Sequence, residues 1–586
     1  MKNKSSSSRL RQTQSLNGLW DFAFLGRIDL ETFNPEGALI YEKMPVPSAF
    51  DALPIHAGKR GAAVYRTRFV IPPGHEARVE FGAVSMWCRI YVDGVPLRDH
   101  ACGYAPFFVD LPAKETPERE LMVLVDNRFD FDRVPMHEEY FDFYQYGGIL
   151  RDVTCYLLPL NQPFIDSVQV TPHERYRDGE VEVRVKVGGI VPEVLHFALQ
   201  FDGGEVQTHE VRMVNGEATC SASVPEPRTW SPDSPSLHQV RVTLRDANGN
   251  DVDDMEIRFG LRRIEARDGA LWLNGEKLQL RGYNRHEWHP NYGPCTPSLQ
   301  MVVDLQLLRD LGCNFIRCAH YPQDQRFLDL CDELGFLVLE ENLGWGQREK
   351  TFASAKWRSD HAESLRAMVR ASYNHPSVII WGFLNEAGTD HDYSRAVIAE
   401  TVNTLRSLDP SRLVTYATMF PLEDKHFDLV DLISLNIYPG WYGCEGVEQP
   451  LECIKPHLDR CIESIDSRGF TDKPILVSEI GAEALYGWHD AHNDFFTEEH
   501  QAEYLRRACL ASLEHSRCCG IALWHFSDIR TYSGGRSLTR PRTFNNKGTL
   551  DEYRRPKAAY QVVREIFHSF AKTNDSVDQV DTLVGE

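Results

Sequence analysis

The chain reads as three consecutive folds: a jelly-roll β-sandwich, an immunoglobulin-like β-sandwich and a C-terminal (β/α)8 barrel. Up to about residue 258, apolar and polar residues alternate in short runs broken by Gly, Pro and Asp, the period of strands with one buried face. Beyond Gly260 eight short runs are almost wholly apolar, and amphipathic stretches of helical spacing separate most of them. That is the grammar of parallel strands buried on both faces and joined by crossover helices. Length agrees, since 586 residues exceed what one core can serve.

Taken in order, residues 1–12 open with "MKNKSSSSRL", basic and serine-rich with no apolar segment behind, the composition of a loose tail and not of a signal peptide. Residues 13–160 carry "VYRTRFVIPP", "ARVEFGAVSMWCRIYVDGVPL" and "RELMVLVDNR", strands enough for a jelly-roll domain of sugar-binding type. Within them Asp93-Gly94 is the dipeptide of a tight hairpin. Residues 161–259 repeat the style in "DSVQVTPH", "VEVRVKVGG" and "HQVRVTLRDANGN", a length suited to an immunoglobulin-like sandwich. The barrel is expected over 260–572, with a polar tail over 573–586.

The eight barrel runs are "LQLRGYN", "NFIRCAH", "LVLEEN", "VIIWGFLNE", "LVTYAT", "DLISLNIY", "PILVSEIG" and "GIALWHFSD". Helical stretches such as "LQMVVDLQLLRDLG" and "HAESLRAMVRASY" lie between them. Barrels of this kind do their chemistry at the C-terminal ends of the strands. Several runs end there in polar groups: Arg285 and His286, His320, Glu340 and Glu341, Asn385 and Glu386, Asn436 and Tyr438, Glu479, Trp524.

Bulk properties narrow the partners. A formal charge of −22 argues against nucleic acid and anionic membranes, both of which call for basic patches. No apolar run is long enough to span a bilayer. The 14 cysteines form no CxxC pair or regular framework, which reads as buried, reduced thiols in a cytoplasm. No cluster of oxygen ligands suggests a metal, and no Gly-rich phosphate motif precedes a helix, so no cofactor is expected.

The chemistry concentrates on two carboxylates. Glu386 ends the fourth run and Glu479 the seventh, so a barrel brings them to face each other across its mouth. Two carboxylates across a pocket are the equipment of glycoside hydrolysis, one as general acid/base and one as nucleophile, about 5–5.5 Å apart in the retaining version. Glu340 and Glu341 form a competing pair, but neighbours on one strand point to opposite faces, so only one can enter the mouth.

"NHPSVIIWGFLNEAG" and "PILVSEIGA" resemble the two catalytic segments of glycoside hydrolase family 2, and "GYNRHEWHP", "FIRCAHYP" and "YGGILRDVTCY" resemble other segments of it. The resemblance covers roughly residues 13–570 in the family's domain order. It implies Glu386 as acid/base, Asn385 as a donor to the sugar's 2-hydroxyl and Glu479 as nucleophile. It also implies homo-oligomers, which are common in the family.

Family 2 includes galactosidases, mannosidases and glucuronidases, so the sugar must be argued separately. A uronic sugar differs from a hexose by a carboxylate at carbon 6, best met by a cation with an amide donor. Asn545, Asn546, Lys547 and Gly548 match the Asn-x-Lys-Gly pattern with which the family's glucuronidases hold that carboxylate. "LNIYPGWYG" resembles the segment that supplies Asn436, Tyr438 and Tyr442; Trp524 corresponds to the ring floor, and Asp142 to an aspartate reaching in from the first domain. His286 and His320 are further expected hydroxyl partners. Arg540 and Arg542 bracket the place of an expected arginine, and Arg348 is a third candidate.

The expected activity is therefore that of an exo-acting, retaining β-hexuronidase on terminal β-D-glucuronides. A β-galacturonide is the alternative, with a neutral β-galactoside or a non-catalytic sugar-binding role behind it.

Overall fold

The computed structural model describes residues 6–134, 136, 142–246, 248–443, 447–532 and 540–580. In the first β module a six-stranded antiparallel sheet runs Val95–His100, Trp87–Val92, Glu118–Asp126, Ala62–Val70, Gly18–Gly26, Glu42–Val46. A four-stranded sheet runs Phe107–Leu111, His75–Phe81, Val153–Pro159, Thr13–Ser15. Their facing side chains, among them Trp20, Phe22, Phe81 and Val123, share one core. Asp93 (φ 52°) and Gly94 (φ 78°) close the hairpin between Val92 and Val95, both in the left-handed region that a two-residue turn of this hand requires.

The second β module packs a five-stranded sheet against a three-stranded one. The first includes Asp251–Phe259, His238–Arg245, Val194–Phe201 and Val206–Arg212; the second is Pro163–Pro172, Glu180–Gly189 and Glu217–Ser223. Val183, Phe197, Val242 and Phe259 are in its core. The fifth strand of the larger sheet corrects an expectation. Ser6–Ser7 pairs with Asp251–Phe259, the backbone NH groups of Arg9 and Leu10 donate to Asp254, and Arg11 ion-pairs with Asp253. Residues 6–12 are thus tied to the second sandwich through its buried aspartates, which a reading of composition alone does not reveal. At the other end the last helix, Ala558–Val580, continues into the segment read as a polar tail, and residues 581–586 lie outside the described residues.

All eight apolar runs become the strands of a closed parallel barrel: Leu280–Arg285, Phe315–Cys318, Leu337–Glu341, Val378–Asn385, Leu413–Thr418, Ile433–Asn436, Ile475–Glu479 and Cys518–Leu523. The fourth is buried along its whole length, as a strand packed on both faces must be. A small sheet, Ile264–Arg267, Ala270–Leu273 and Glu276–Leu278, packs Leu271 and Leu273 with Leu280, Phe315 and Leu476 at the opposite end from the polar strand termini. This closes the barrel floor with apolar surface and leaves the other end for chemistry.

The first module also packs on the barrel. Tyr104, Phe143 and Tyr146 join the barrel's own core, and Arg151 donates to Glu287 at 2.8 Å with both side chains buried. A buried ion pair of this kind fixes orientation more than it adds stability, and the orientation matters because it carries Asp142 to the barrel mouth. Among the described residues no helix is long and apolar enough to cross a membrane, and no disulfide joins the cysteines.

Candidate active site

A cleft of about 840 Å³ opens at the C-terminal end of the barrel. Glu386, Glu479, Asp142, His320, Asn436, Tyr438, Tyr442, Trp524 and Asn545 all line it. The strand order explains the gathering: each residue sits at or just past a strand terminus, except Asp142, which the first module supplies, and Asn545, which lies beyond the last barrel strand.

Glu386 is held where burial is costly. Its backbone adopts φ 52°, a left-handed conformation that costs a non-glycine residue on the order of 1–2 kcal/mol. Its NH donates to the carbonyl of Ala417 (2.9 Å), and Nη1 of Arg348 donates to its carbonyl (2.6 Å). The carboxyl accepts one bond, from Nδ2 of Asn436 at 3.1 Å. Desolvation first, and the nearby Glu479 second, push its pKa up to about 8.

Glu479 is treated oppositely. Nη1 of Arg317 donates to its Oε1 (2.6 Å) and the hydroxyl of Tyr438 to its Oε2 (2.7 Å). Two donors, one of them a permanent cation, fix the position of both its oxygens. One carboxyl thus has a raised pKa and a single amide donor while its opposite number is held by a guanidinium and a phenol, environments as unlike as acid/base and nucleophile roles require.

Arg317 is the hub that the sequence did not single out. Wholly buried, it also donates to Oε2 of Glu341 (2.6 Å), Oδ1 of Asn385 (2.7 Å) and Oδ1 of Asn284 (2.8 Å). A guanidinium in the middle of "NFIRCAH", a run otherwise fit for a buried strand, was the available signal, since such a cation must find buried carboxylates. Of the adjacent glutamates, Glu341 turns inward to Arg317 and His320, while Glu340 turns away to accept from the backbone NH of Gln323. Burial, opposed by Arg317, lifts Glu341 to about 7, and burial together with Arg317 drops His320 to about 3, so His320 is a neutral imidazole.

Asn385 stands behind the carboxylates with its Oδ1 held by Arg317 and Asn436, and its buried Nδ2 has no partner among the described residues. An unmet buried donor costs roughly 1–3 kcal/mol, and this one belongs to the residue next to Glu386. Trp524 stacks on His320 (centroids 5.1 Å apart, 21° between planes). His286, like Asn385 and Lys547, does not itself line the cleft; it packs edge-on against Trp524, with Nδ1 bonded to the hydroxyl of Tyr321.

At the far side the cations meet. Lys547, 1% exposed, donates through Nζ to the hydroxyl of Tyr442 (2.8 Å) and to Oε1 of Glu483 (3.2 Å). Arg540 donates to the same Tyr442 hydroxyl (3.0 Å), to Glu483, and to Asp142 through Nη2 (2.6 Å) and Nε (3.2 Å). Asn545 donates to Asp142 at 3.2 Å. Of the three arginines left open by the sequence, Arg540 is therefore the one at this corner. Arg542 turns to Glu552 and Asn546, and Arg348 serves the backbone of Glu386. Glu483, buried between both cations, was also missed; it follows Glu479 by four residues on the same strand-to-loop passage.

Residues 264–572 match the family described as glycosyl hydrolases family 2, TIM barrel domain, and residues 164–262 match glycosyl hydrolases family 2. Among solved structures, a β-galacturonidase of Eisenbergiella tayi bound to galacturonate is 33% identical, with a TM-score of 0.86 over 96% of this chain and 98% of that one. Among sequences, the β-glucuronidase of Paenibacillus borealis is 27% identical over 94% of this chain and 96% of its own length. The human β-glucuronidase is 28% identical over 96% and 91% respectively. With its barrel, its two carboxylates and these likenesses, the chain belongs to glycoside hydrolase family 2.

Proposed function

We propose that this glycoside hydrolase is an exo-acting, retaining β-hexuronidase that removes terminal β-D-glucuronic acid residues. The observation that carries the reading is the pair of buried cations, Lys547 and Arg540, converging on the Tyr442 hydroxyl at the edge of the cleft that holds Glu386 and Glu479. A neutral hexose gives such a pair nothing to bind, whereas a carboxylate at carbon 6 meets both cations and the amide of Asn545.

In this reading Glu479 attacks the anomeric carbon while Glu386, protonated, gives its proton to the leaving oxygen. A water then enters, Glu386 takes its proton, and the glycosyl–Glu479 ester is hydrolysed with net retention. The free Nδ2 of Asn385 donates to the 2-hydroxyl as positive charge develops at the ring. Trp524 supports the ring face. Asp142 abuts the hydroxyls on the far side, so no further sugar fits beyond and the bond cut is terminal. The many buried thiols support a reducing, cytoplasmic setting.

A β-galacturonide is the second reading, favoured by the 33% identity to the Eisenbergiella tayi enzyme. Hydrolysis of p-nitrophenyl β-glucuronide, β-galacturonide and β-galactoside, measured side by side, tests both. Turnover of a uronide far above the galactoside is the expected result, and cleavage of the galactoside alone overturns the uronide reading.

A further inference from the structure

The segment bearing Lys547 is buried, and a second, deeper lysine holds it. Nζ of Lys557, with a fully buried side chain, donates to the carbonyls of Ala484 (2.7 Å) and Asn546 (2.9 Å) and to Oδ1 of Asp528 (2.8 Å). Those are the three bonds that an ammonium can make. The same Oδ1 of Asp528 accepts the backbone NH of Gly548 at 2.9 Å. One lysine–aspartate pair thus grips the chain immediately before and immediately after Lys547: the carbonyl of Asn546 on one side, the NH of Gly548 on the other.

Gly548 shows how tight the grip is. A Cβ at that position would lie 2.3 Å from the nitrogen of Asp528, 2.4 Å from the carbonyl oxygen of Leu550 and 2.6 Å from Oδ1 of Asp528. Two of those atoms are backbone and cannot move aside, so any side chain would push residue 548 off Asp528. The glycine is there to allow the close approach.

We propose that Lys557 and Asp528 are positioning residues for sugar recognition: they fix the main chain on both sides of Lys547 and so aim its ammonium at the substrate's carboxylate. Neither lines the cleft. Ala484, the third anchor, follows Glu483, the counter-ion of Lys547, so the pair also fixes the ammonium's distance from Glu483. The proposal rests on the hexuronidase reading and extends it to residues that never touch sugar.

The test uses the full-length enzyme and two substrates, a p-nitrophenyl β-hexuronide and its carbon-6 amide, which is isosteric but uncharged. In Lys557→Met, kcat/KM for the acid is expected to fall at least tenfold, mainly through KM, with less than a threefold change for the amide. Because Lys557 acts through Lys547, the double variant Lys547→Met/Lys557→Met should be no worse on the acid than Lys547→Met alone, within about twofold. Equal losses on acid and amide, or additive losses in the double variant, overturn the proposal. Should Lys557→Met not fold, Asp528→Asn, which keeps the shape and an acceptor oxygen, is measured by the same two ratios. A wild-type enzyme that cleaves neither uronide would instead sink the hexuronidase reading, a result visible before any variant is made.

Discussion

Arg317 binds Glu479 through Nη1 at 2.6 Å, a buried ion pair that ties the second barrel strand to the seventh. The same guanidinium holds Glu341 and Asn385, so one cation sets the positions of two carboxylates and the amide between them. Removing it leaves two buried carboxylates without their cation, held by Tyr438 on Glu479 and His320 on Glu341. Arg317→Met should destabilise the fold by about 3–5 kcal/mol and lower kcat at least a hundredfold. Denaturant unfolding and steady-state kinetics check the two effects separately. Adding Glu341→Gln should restore part of the stability and little of the activity, since Glu479 remains unanchored.

The division of labour between the two glutamates predicts opposite chemical rescues. Glu479→Ala should lose activity by several orders of magnitude, and added azide should return part of it by attacking in the nucleophile's place, giving an α-glycosyl azide. Glu386→Ala should keep glycosylation of substrates with good leaving groups and, with azide, give the β-product. NMR of the azide adducts decides. An α-azide from Glu386→Ala would reverse the assignment.

In the proposed reading Lys547 discriminates between acid and neutral sugars. With its Nζ buried and paired with Glu483, truncation to Ala leaves Arg540 as the cation paired with Glu483, beside the amide and NH of Asn546, and removes one arm of the carboxylate clamp. Loss of a buried charged contact costs on the order of 2–5 kcal/mol, so kcat/KM for a β-hexuronide should fall by roughly a hundredfold or more. Residual turnover of a neutral β-glycoside should change little, and equal losses on both would make the lysine structural. Competition kinetics in one mixture of acid and neutral substrates give the ratio directly.

How much of this was readable beforehand follows from what each signal encodes. Eight apolar runs such as "VIIWGFLNE" announce buried strands because burial on both faces demands them, and the ends of those runs announce the mouth. Glu386 and Glu479 were visible as carboxylates where apolar runs stop. What pattern could not convey was partnership. Arg317, Glu341 and Glu483 matter through contacts across the barrel, between residues that no periodicity connects. His286 shows the same limit: a strand-end position fixes where a residue begins, while packing against Trp524 decides where its ring goes. Arg11 and Asp253 show it at the N-terminus, where a serine-rich segment is ordered by two aspartates some 240 residues away.

In the proposed mechanism the protonation of Glu386 sets the alkaline limit of activity. Its carboxyl is pushed up to about 8 by burial and by Glu479, and it must be protonated to assist the leaving group. For β-hexuronides with poor leaving groups, kcat/KM should fall about tenfold per pH unit above a pKa near 8, while substrates whose leaving groups need no acid should show a much shallower fall. Stability follows with a defined sign. The folded pKa lies above that of the unfolded chain, so the protonated carboxyl stabilises the fold fully below about pH 4.5, and that contribution is lost as pH rises toward 8. Glu386→Gln does not titrate, so its stability relative to wild type should grow between about pH 5 and 8 and level off above. Thermal unfolding of both proteins across that range reads the difference. A constant offset would mean that Glu386 ionises as freely in the cleft as in the unfolded chain, and the acid role would lose its physical basis.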